Sequence, residues 1–212
     1  MGGTPVICAL DETKTTGHIS AMAKLNVREQ LLSAGLEALH ARGFNATSVQ
    51  DITAAAGVPK GSFYNHFASK EDFGAAAIQR YAASAHARRR ILGDAGLSPL
   101  TRLRRYFESL VALPRYPGAP GCMLGNFGAE LSNQSPAIRA CVGTAFAEWT
   151  AALAEVIGQA QRAGELPSGD PPEALAAFVI DAWEGAVLRA KVAQNRTPLD
   201  AFLTMVFSRI LA

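Results

Sequence analysis

TSVQDITAAAGVPKGSFYNHFASKEDF, residues 47–73, reads as two short helices on a tight turn followed by the start of a third. Thr47 and Gln50 have the spacing of a capping box, in which a hydroxyl accepts from the third helical N–H and the Gln side chain reaches back. Val49, Ile52 and Ala56 then share one helical face. Gly57 stands where the chain must turn sharply, because glycine tolerates positive φ. Val58 plugs the angle between the helices. Pro59 opens the second helix, where its missing N–H costs nothing. Phe63 and Phe67 face inward at a spacing of four, which predicts a helix from Pro59 to about Phe67. Lys60, Gly61, Ser62, Tyr64, Asn65 and His66 are left on the outer face. Ser69 caps a further helix with Asp72 at its capping-box position.

A second helix with small and polar residues on one face, set on a short Gly-containing turn, is how a helix-turn-helix enters a DNA groove. Gly61 and Ser62 permit close approach. Lys60 supplies charge near phosphates or a guanine edge. Asn65 and His66 have donors and acceptors for base edges. Tyr64 and Lys70 suit phosphate oxygens, as does the N-terminus of the Ser69 helix. The plainer alternative is a helical hairpin with a polar outer face.

Residues 31–73 resemble the DNA-binding domain of the TetR (tetracycline-repressor-like) family. The resemblance rests on LLSAGLEALHARGF (31–44), TSVQDITAAAGVPKGSFYNHF (47–67) and the SKEDF helix start (69–73). It implies a homodimeric, ligand-controlled DNA-binding protein, usually a repressor. It also implies that Lys60, Gly61, Ser62, Tyr64, Asn65 and His66 lie on the recognition helix, with Lys70 as a backbone clamp. Thr47 completes the set of DNA-binding candidates. Leu39 departs from the family pattern, standing where an aromatic is frequent.

Charge argues against bulk attraction to nucleic acid. Between residues 22 and 73, Lys24, Arg28, Arg42, Lys60 and Lys70 are balanced by Glu29, Glu37, Asp51, Glu71 and Asp72. A neutral domain must rely on a few placed contacts, and non-specific binding should be weak.

The chain has 212 residues, 49% hydrophobic, with net charge +2, which is globular composition. No run reads as a membrane span. The first residues lack the basic start and apolar core of a secretory signal. Three cysteines, an odd count, argue against a disulfide framework. A cytoplasmic location is expected. Residues 1–23 read as a loose polar arm, and Met22 offers an alternative start.

The remainder is helical by period, for an all-α fold of about nine helices. The expected division is 1–23 arm, 24–73 helix-turn-helix domain, and 74–212 effector-binding and dimerisation domain. Phe73, Ala77, Ile78, Tyr81 and Ala85 mark a long helix ended by Gly93; its Arg88, Arg89 and Arg90 read as a solvated end favoured by the dipole. Ser98-Pro99, Ser135-Pro136, Asp170-Pro171-Pro172 and Pro198 open four more helices. A Pro/Gly-rich break at 114–121 precedes a short apolar helix. The last two helices carry apolar stripes wider than one neighbour needs. In the family that pair usually forms a four-helix interface with a symmetry mate. A two-fold dimer would set two recognition helices in successive major grooves, about 34–36 Å apart.

GCMLGNFGAELS (121–132) places Cys122 at a helix start, where the N-terminal dipole lowers a thiol pKa; Arg115 is nearby in sequence. This segment and WEGAVLRAKV (183–192) resemble a subgroup that includes the repressors of N-ethylmaleimide reductase and of acrylate utilisation. That resemblance implies response to reactive electrophiles, small unsaturated acids or oxidants, with Cys122 as sensor. The alternative is a small buried hydrophobe. Cys141, in an apolar stripe, reads as core. Phe107, Met123, Phe127, Phe146, Trp149, Phe178 and Trp183 are candidates for an effector pocket. Their apolar character favours a small organic effector. No phosphate loop or metal-ligand spacing appears, so no cofactor or metal is expected.

Two functions compete: a ligand- or electrophile-switched repressor of palindromic operator DNA, and a thiol-dependent scavenger or enzyme centred on Cys122. The second needs a base near the thiol, and none of His18, His40, His66 and His86 lies within residues 121–164.

Overall fold

In the computed structural model the backbone is described for residues 12–212 and side chains for residues 27–85 and 89–212. Among these residues there are nine α-helices, a 3₁₀ turn (Arg90–Gly93), a π-helical turn (Val206–Ile210) and no strand. The first four are α1 (Glu12–Arg42), α2 (Val49–Ala55), α3 (Lys60–Tyr64) and α4 (Lys70–Arg89). Helix α1 starts at Glu12, which corrects the expected arm from residue 12 onward. The stretch from Glu12 to Arg42 contains no proline, and each added residue gains a hydrogen bond for the dihedrals it fixes. Residues 1–11, with Cys8, lie outside the described residues.

The cap of α2 sits one residue later than expected. Ser48 and Asp51 form the box: Asp51 N donates to Ser48 Oγ at 3.1 Å and Ser48 N to Asp51 Oδ2 at 2.7 Å. Thr47 is fully buried, and its hydroxyl donates to Gly43 O at 2.8 Å. A β-branched methyl is better accommodated in the core than on the cap, so Thr47 turns inward. Gly57 holds the turn with φ +67°. Pro59 is the residue before α3, and α3 ends at Tyr64, short of the predicted Phe67. Phe63 and Phe67 are buried as their spacing predicts.

The other helices are α5 (Pro99–Val111), α6 (Met123–Leu131), α7 (Pro136–Arg162), α8 (Pro172–Ala193) and α9 (Thr197–Met205). Ser98 and Ser135 cap α5 and α7 through N–H groups three residues on. Two cores result. One joins Leu31, Leu39, Ile52, Phe63 and Phe73 to Phe127 and Leu131 of α6 and Ile138 of α7. The other joins α5, α7, α8 and α9 around Phe107, Leu153, Ile157, Trp183 and Phe202. Helix α4 runs unbroken through residues 73 and 74, the expected domain boundary.

Among the described helices α7 has the length and apolar composition to cross a membrane, contrary to the sequence expectation. Its apolar positions are used internally instead. Ile138, Val142 and Ala145 enter the first core, and Trp149, Leu153 and Ile157 the second. A helix that packs on several neighbours needs apolar residues on most of its circumference.

Candidate functional site

Helix α3 presents one polar surface. Lys60, Gly61, Tyr64 and Asn65 are exposed, with Tyr64 at 58%, while Ser62 and His66 are half-buried. The Phe63 ring beneath holds Tyr64 edge-on at 5.3 Å between centroids. Two candidates fall away from this surface. Thr47 is buried with its hydroxyl satisfied, so it has no donor for DNA. Lys70 is turned onto the protein: its Nζ donates to Phe44 O at 2.7 Å and lies 4.2 Å from the centre of the Phe44 ring. Burial holds its ammonium below the usual lysine range, against the pull of Glu130 and Asp51. The N-terminus of α4 is occupied as well. Asp72 N donates to Ser69 Oγ at 3.0 Å, and Glu71 and Asp72 place negative charge in the first turn.

A cavity of about 550 Å³ opens between α1, α4, α5, α7, α8 and the loop at 114–121. Of the effector candidates, Cys122, Trp149 and Trp183 line it. The other five candidates are elsewhere. Phe107, Met123 and Phe127 are fully buried; Phe107 packs on Trp183 and Phe202, and Phe127 meets Phe44 at 5.6 Å. Phe178 is 53% exposed on the outer side of α8. Phe146 stacks parallel on Trp149 at 6.5 Å without lining the cavity. Helical spacing identifies a face but not which neighbour that face meets.

Local spacing could not foresee several lining residues. Tyr81, Arg89, Tyr106 and Arg115 join the wall, and no Asp or Glu does. Arg89 is therefore not the solvated helix end that the Arg run suggested. His40 also lines the cavity, and its Nε2 donates to Gly121 O at 2.8 Å. A carbonyl only accepts, so that nitrogen carries a proton and is not a free base.

Cys122 is the N-cap of α6 and packs against both cores. Its expected low pKa is overturned. Burial pushes the thiol well above its ordinary value, and the Glu184 carboxylate beside it adds to this. The N–H groups of Gly125 and Leu124 act in the opposite sense and are outweighed. Desolvation penalises a thiolate more than one helix terminus repays. Tyr81 stands beside the same thiol, and burial, with Cys122 next to it, holds its hydroxyl well above the usual tyrosine range.

From Cys122, α6 runs directly to the helix-turn-helix. Glu130 near its far end accepts from Phe44 N at 3.2 Å and Asn45 N at 2.8 Å. Gly43, with φ +88°, leaves room for that carboxylate, which any Cβ there would strike. Glu130→Ala is expected to lose about 1–3 kcal/mol from two hydrogen bonds to a charged acceptor. That appears as a fall in Tm of roughly 2–4 °C per kcal/mol. An unchanged melting curve would show that this contact carries no stability.

A helix-turn-helix welded to a helical domain with its own cavity matches two known profiles. "Bacterial regulatory proteins, tetR family" matches residues 31–77, and "Tetracyclin repressor-like, C-terminal domain" matches residues 99–206. The chain belongs to the TetR family. It is a DNA-binding transcriptional regulator of the TetR repressor type. The transcriptional repressor DhaR of Mycobacterium sp. (strain GP1) is 41% identical over 193 residues, covering 90% of this chain and 95% of that one. The transcriptional regulator AcuR of Cereibacter sphaeroides is 37% identical over 183 residues, covering 85% and 83%. The crystal structure of Escherichia coli NemR in its reduced form superposes with a TM-score of 0.81 at 28% identity, covering 88% and 97%. TetR-family members are regulators, not enzymes, and bind operator DNA and small effectors as dimers. Among the described residues no group of three His, Cys, Asp or Glu could hold a metal.

Proposed function

We propose that the protein represses transcription from a palindromic operator as a homodimer, and that a small reactive organic effector entering the cavity releases it by adding to Cys122. The protein acts where its operator is, in the cytoplasm. The observation that carries this reading is the position of Cys122. It lines the cavity and begins the helix whose Glu130 grips the turn between α1 and α2. A group added at the sulfur has to be accommodated at the start of α6, and the displacement reaches the helix-turn-helix through Glu130. The two recognition helices then lose their mutual spacing, which both half-sites require. A reduced form of the relative NemR has been crystallised.

Lys60, Gly61, Ser62, Tyr64, Asn65 and His66 are the reading face in this proposal. Lys70 supports it indirectly by holding Phe44. Lys60→Ala and Tyr64→Ala are each expected to weaken operator binding by about 1–3 kcal/mol. Lys60→Ala should also reduce the slope of log affinity against log salt by about one. Gel-shift titration on the promoter beside the protein's own gene tests the whole reading. Affinity unaltered in both variants would misplace the recognition helix, and no shift with any neighbouring DNA would sink the operator proposal.

Dimerisation is supported by the outer face of α8 and α9. Phe178, Leu188, Val192 and Met205 are between 53% and 78% exposed. Such a run of large exposed hydrophobics fits an interface. Between Phe178 and Leu188, a Cβ at Gly185 would meet nothing, so a partner helix has room to approach closely.

A further inference from the structure

We propose that Glu184 is the proton acceptor for Cys122 when its thiol adds to a carbonyl-conjugated alkene held in the cavity. This rests on the effector reading above and deepens it. Two features make the sulfur part of a site. Trp149 lines the same cavity, is 7% exposed, and its indole N–H has no acceptor in the protein. A buried donor without an acceptor marks where a ligand oxygen belongs. Glu184 supplies the second feature. Its carboxylate stands beside the Cys122 side chain over the first turn of α6, and its buried Oε1 has no partner. The approach depends on Gly125: a Cβ there would lie 2.5 Å from Glu184 Oε2 and 3.9 Å from Cys122 Cβ. A carboxylate is thus brought down onto the first turn of α6, beside the sulfur.

The chemistry needs such a group. A thiol buried next to a carboxylate does not ionise unaided at neutral pH, and the thiolate is the nucleophile. If the proton moves to Glu184 as sulfur attacks, no free thiolate has to form. The Cys122 S–H bond breaks and its proton passes to a Glu184 oxygen. The sulfur pair forms an S–C bond to the β-carbon. The C=C π pair shifts toward the carbonyl, whose oxygen the Trp149 N–H receives. The α-carbon takes its proton from solvent in the cavity, and Glu184 gives its proton back to solvent. The product is a thioether, Glu184 is regenerated, and no oxidant or reductant is consumed. The other titratable groups around the pair are Tyr81 from α4 and His40 from α1, with Lys191 from α8 and Arg115 from the loop. Tyr81 stands beside the thiol, His40 is tied to Gly121 O, and Lys191 Nζ donates to Asn126 Oδ1 at 3.3 Å. None of these is a carboxylate able to replace Glu184.

The test is the rate at which methyl vinyl ketone alkylates Cys122 in the full-length protein. It is followed by intact mass in a Cys8→Ser, Cys141→Ser background. Glu184→Gln is expected to slow the reaction by roughly a hundredfold, the low end for loss of a general base. Its rate should then rise steeply between pH 6.5 and 8.5, because only spontaneous thiolate remains, while the parent changes little. The opposite outcome is sharp. If Glu184 is only a neighbouring anion, removing its charge favours the thiolate, and Glu184→Gln reacts as fast as the parent or faster. That result overturns the proposal. Gly125→Ala displaces the carboxylate without deleting it and should also slow alkylation. If Glu184→Gln does not fold, an unchanged rate in Gly125→Ala is the overturning result. A parent protein that is not alkylated at all defeats the effector reading itself, which separates the two failures.

Discussion

Cys122→Ser should bind operator DNA as the parent does and no longer be released by electrophiles. Cys122 is the N-cap of α6 and its side chain makes no capping hydrogen bond. Serine is among the best N-cap residues, so the substitution preserves or strengthens the helix start and leaves the Glu130 contact in place. A serine hydroxyl is nearly the same size but is not a nucleophile toward an activated alkene at neutral pH. The parent, once alkylated, should lose operator affinity by roughly 5–150-fold, the usual range of allosteric coupling. The variant should lose none. Gel shifts with and without an aldehyde, a maleimide or hypochlorite make the comparison. Release that persists unchanged in Cys122→Ser removes this residue as the sensor. Persistence with only one reagent would point to non-covalent occupation of the cavity by that compound.

Leu188→Asp should convert a dimer into monomers and abolish tight operator binding. Leu188 is 61% exposed on α8, on the side that carries Phe178 and Val192. The inner side of the same helix is already committed, with Val179, Ile180, Trp183 and Val187 in the second core. The substitution therefore leaves the monomer's packing alone, and it places a carboxylate opposite its own copy across a two-fold axis. Losing bivalent engagement of two half-sites should cost roughly 10²–10⁴-fold in affinity. Sedimentation or size exclusion reads the mass, and gel shift the affinity. A dimer that survives the substitution would locate the interface elsewhere.

The reading of residues 47–73 was accurate where it depended on neighbours three or four residues apart. Phe63 and Phe67 are buried and Gly57 takes the positive φ; beyond that stretch, the caps at Ser98 and Ser135 form as spaced. It failed by one residue at the α2 cap. Thr47 and Ser48 are both competent caps, and the choice between them depends on which side chain the core accepts. Lys70 shows the same limit. Its position at a helix start suggests a phosphate clamp, yet the Phe44 carbonyl and ring that hold it come from 26 residues earlier.

The cavity was legible only in part. Aromatic stripes on α5, α6, α7 and α8 announced apolar faces, and two tryptophans do line the space. Nothing in those stripes separates Trp149, at the wall, from Phe107, in solid core, because both repeat at helical spacing. The polar members were hidden further. His40, in the wall, meets Gly121 across 81 residues; outside the cavity, Glu130 meets Phe44 across 86.

Helix periods, caps, the turn glycine and the outer face of α3 are written in the local order of residues, since each is a contact within one or two turns. The charge state and reactivity of Cys122 are not. Sequence supplies only the helix N-terminus, which favours the thiolate. The fold then buries the sulfur, brings Tyr81 from α4 and Glu184 from α8 against it, and so reverses the sign. Desolvation and a neighbouring carboxylate are properties of three-dimensional packing, and here they outweigh the one electrostatic term that the order of residues can show.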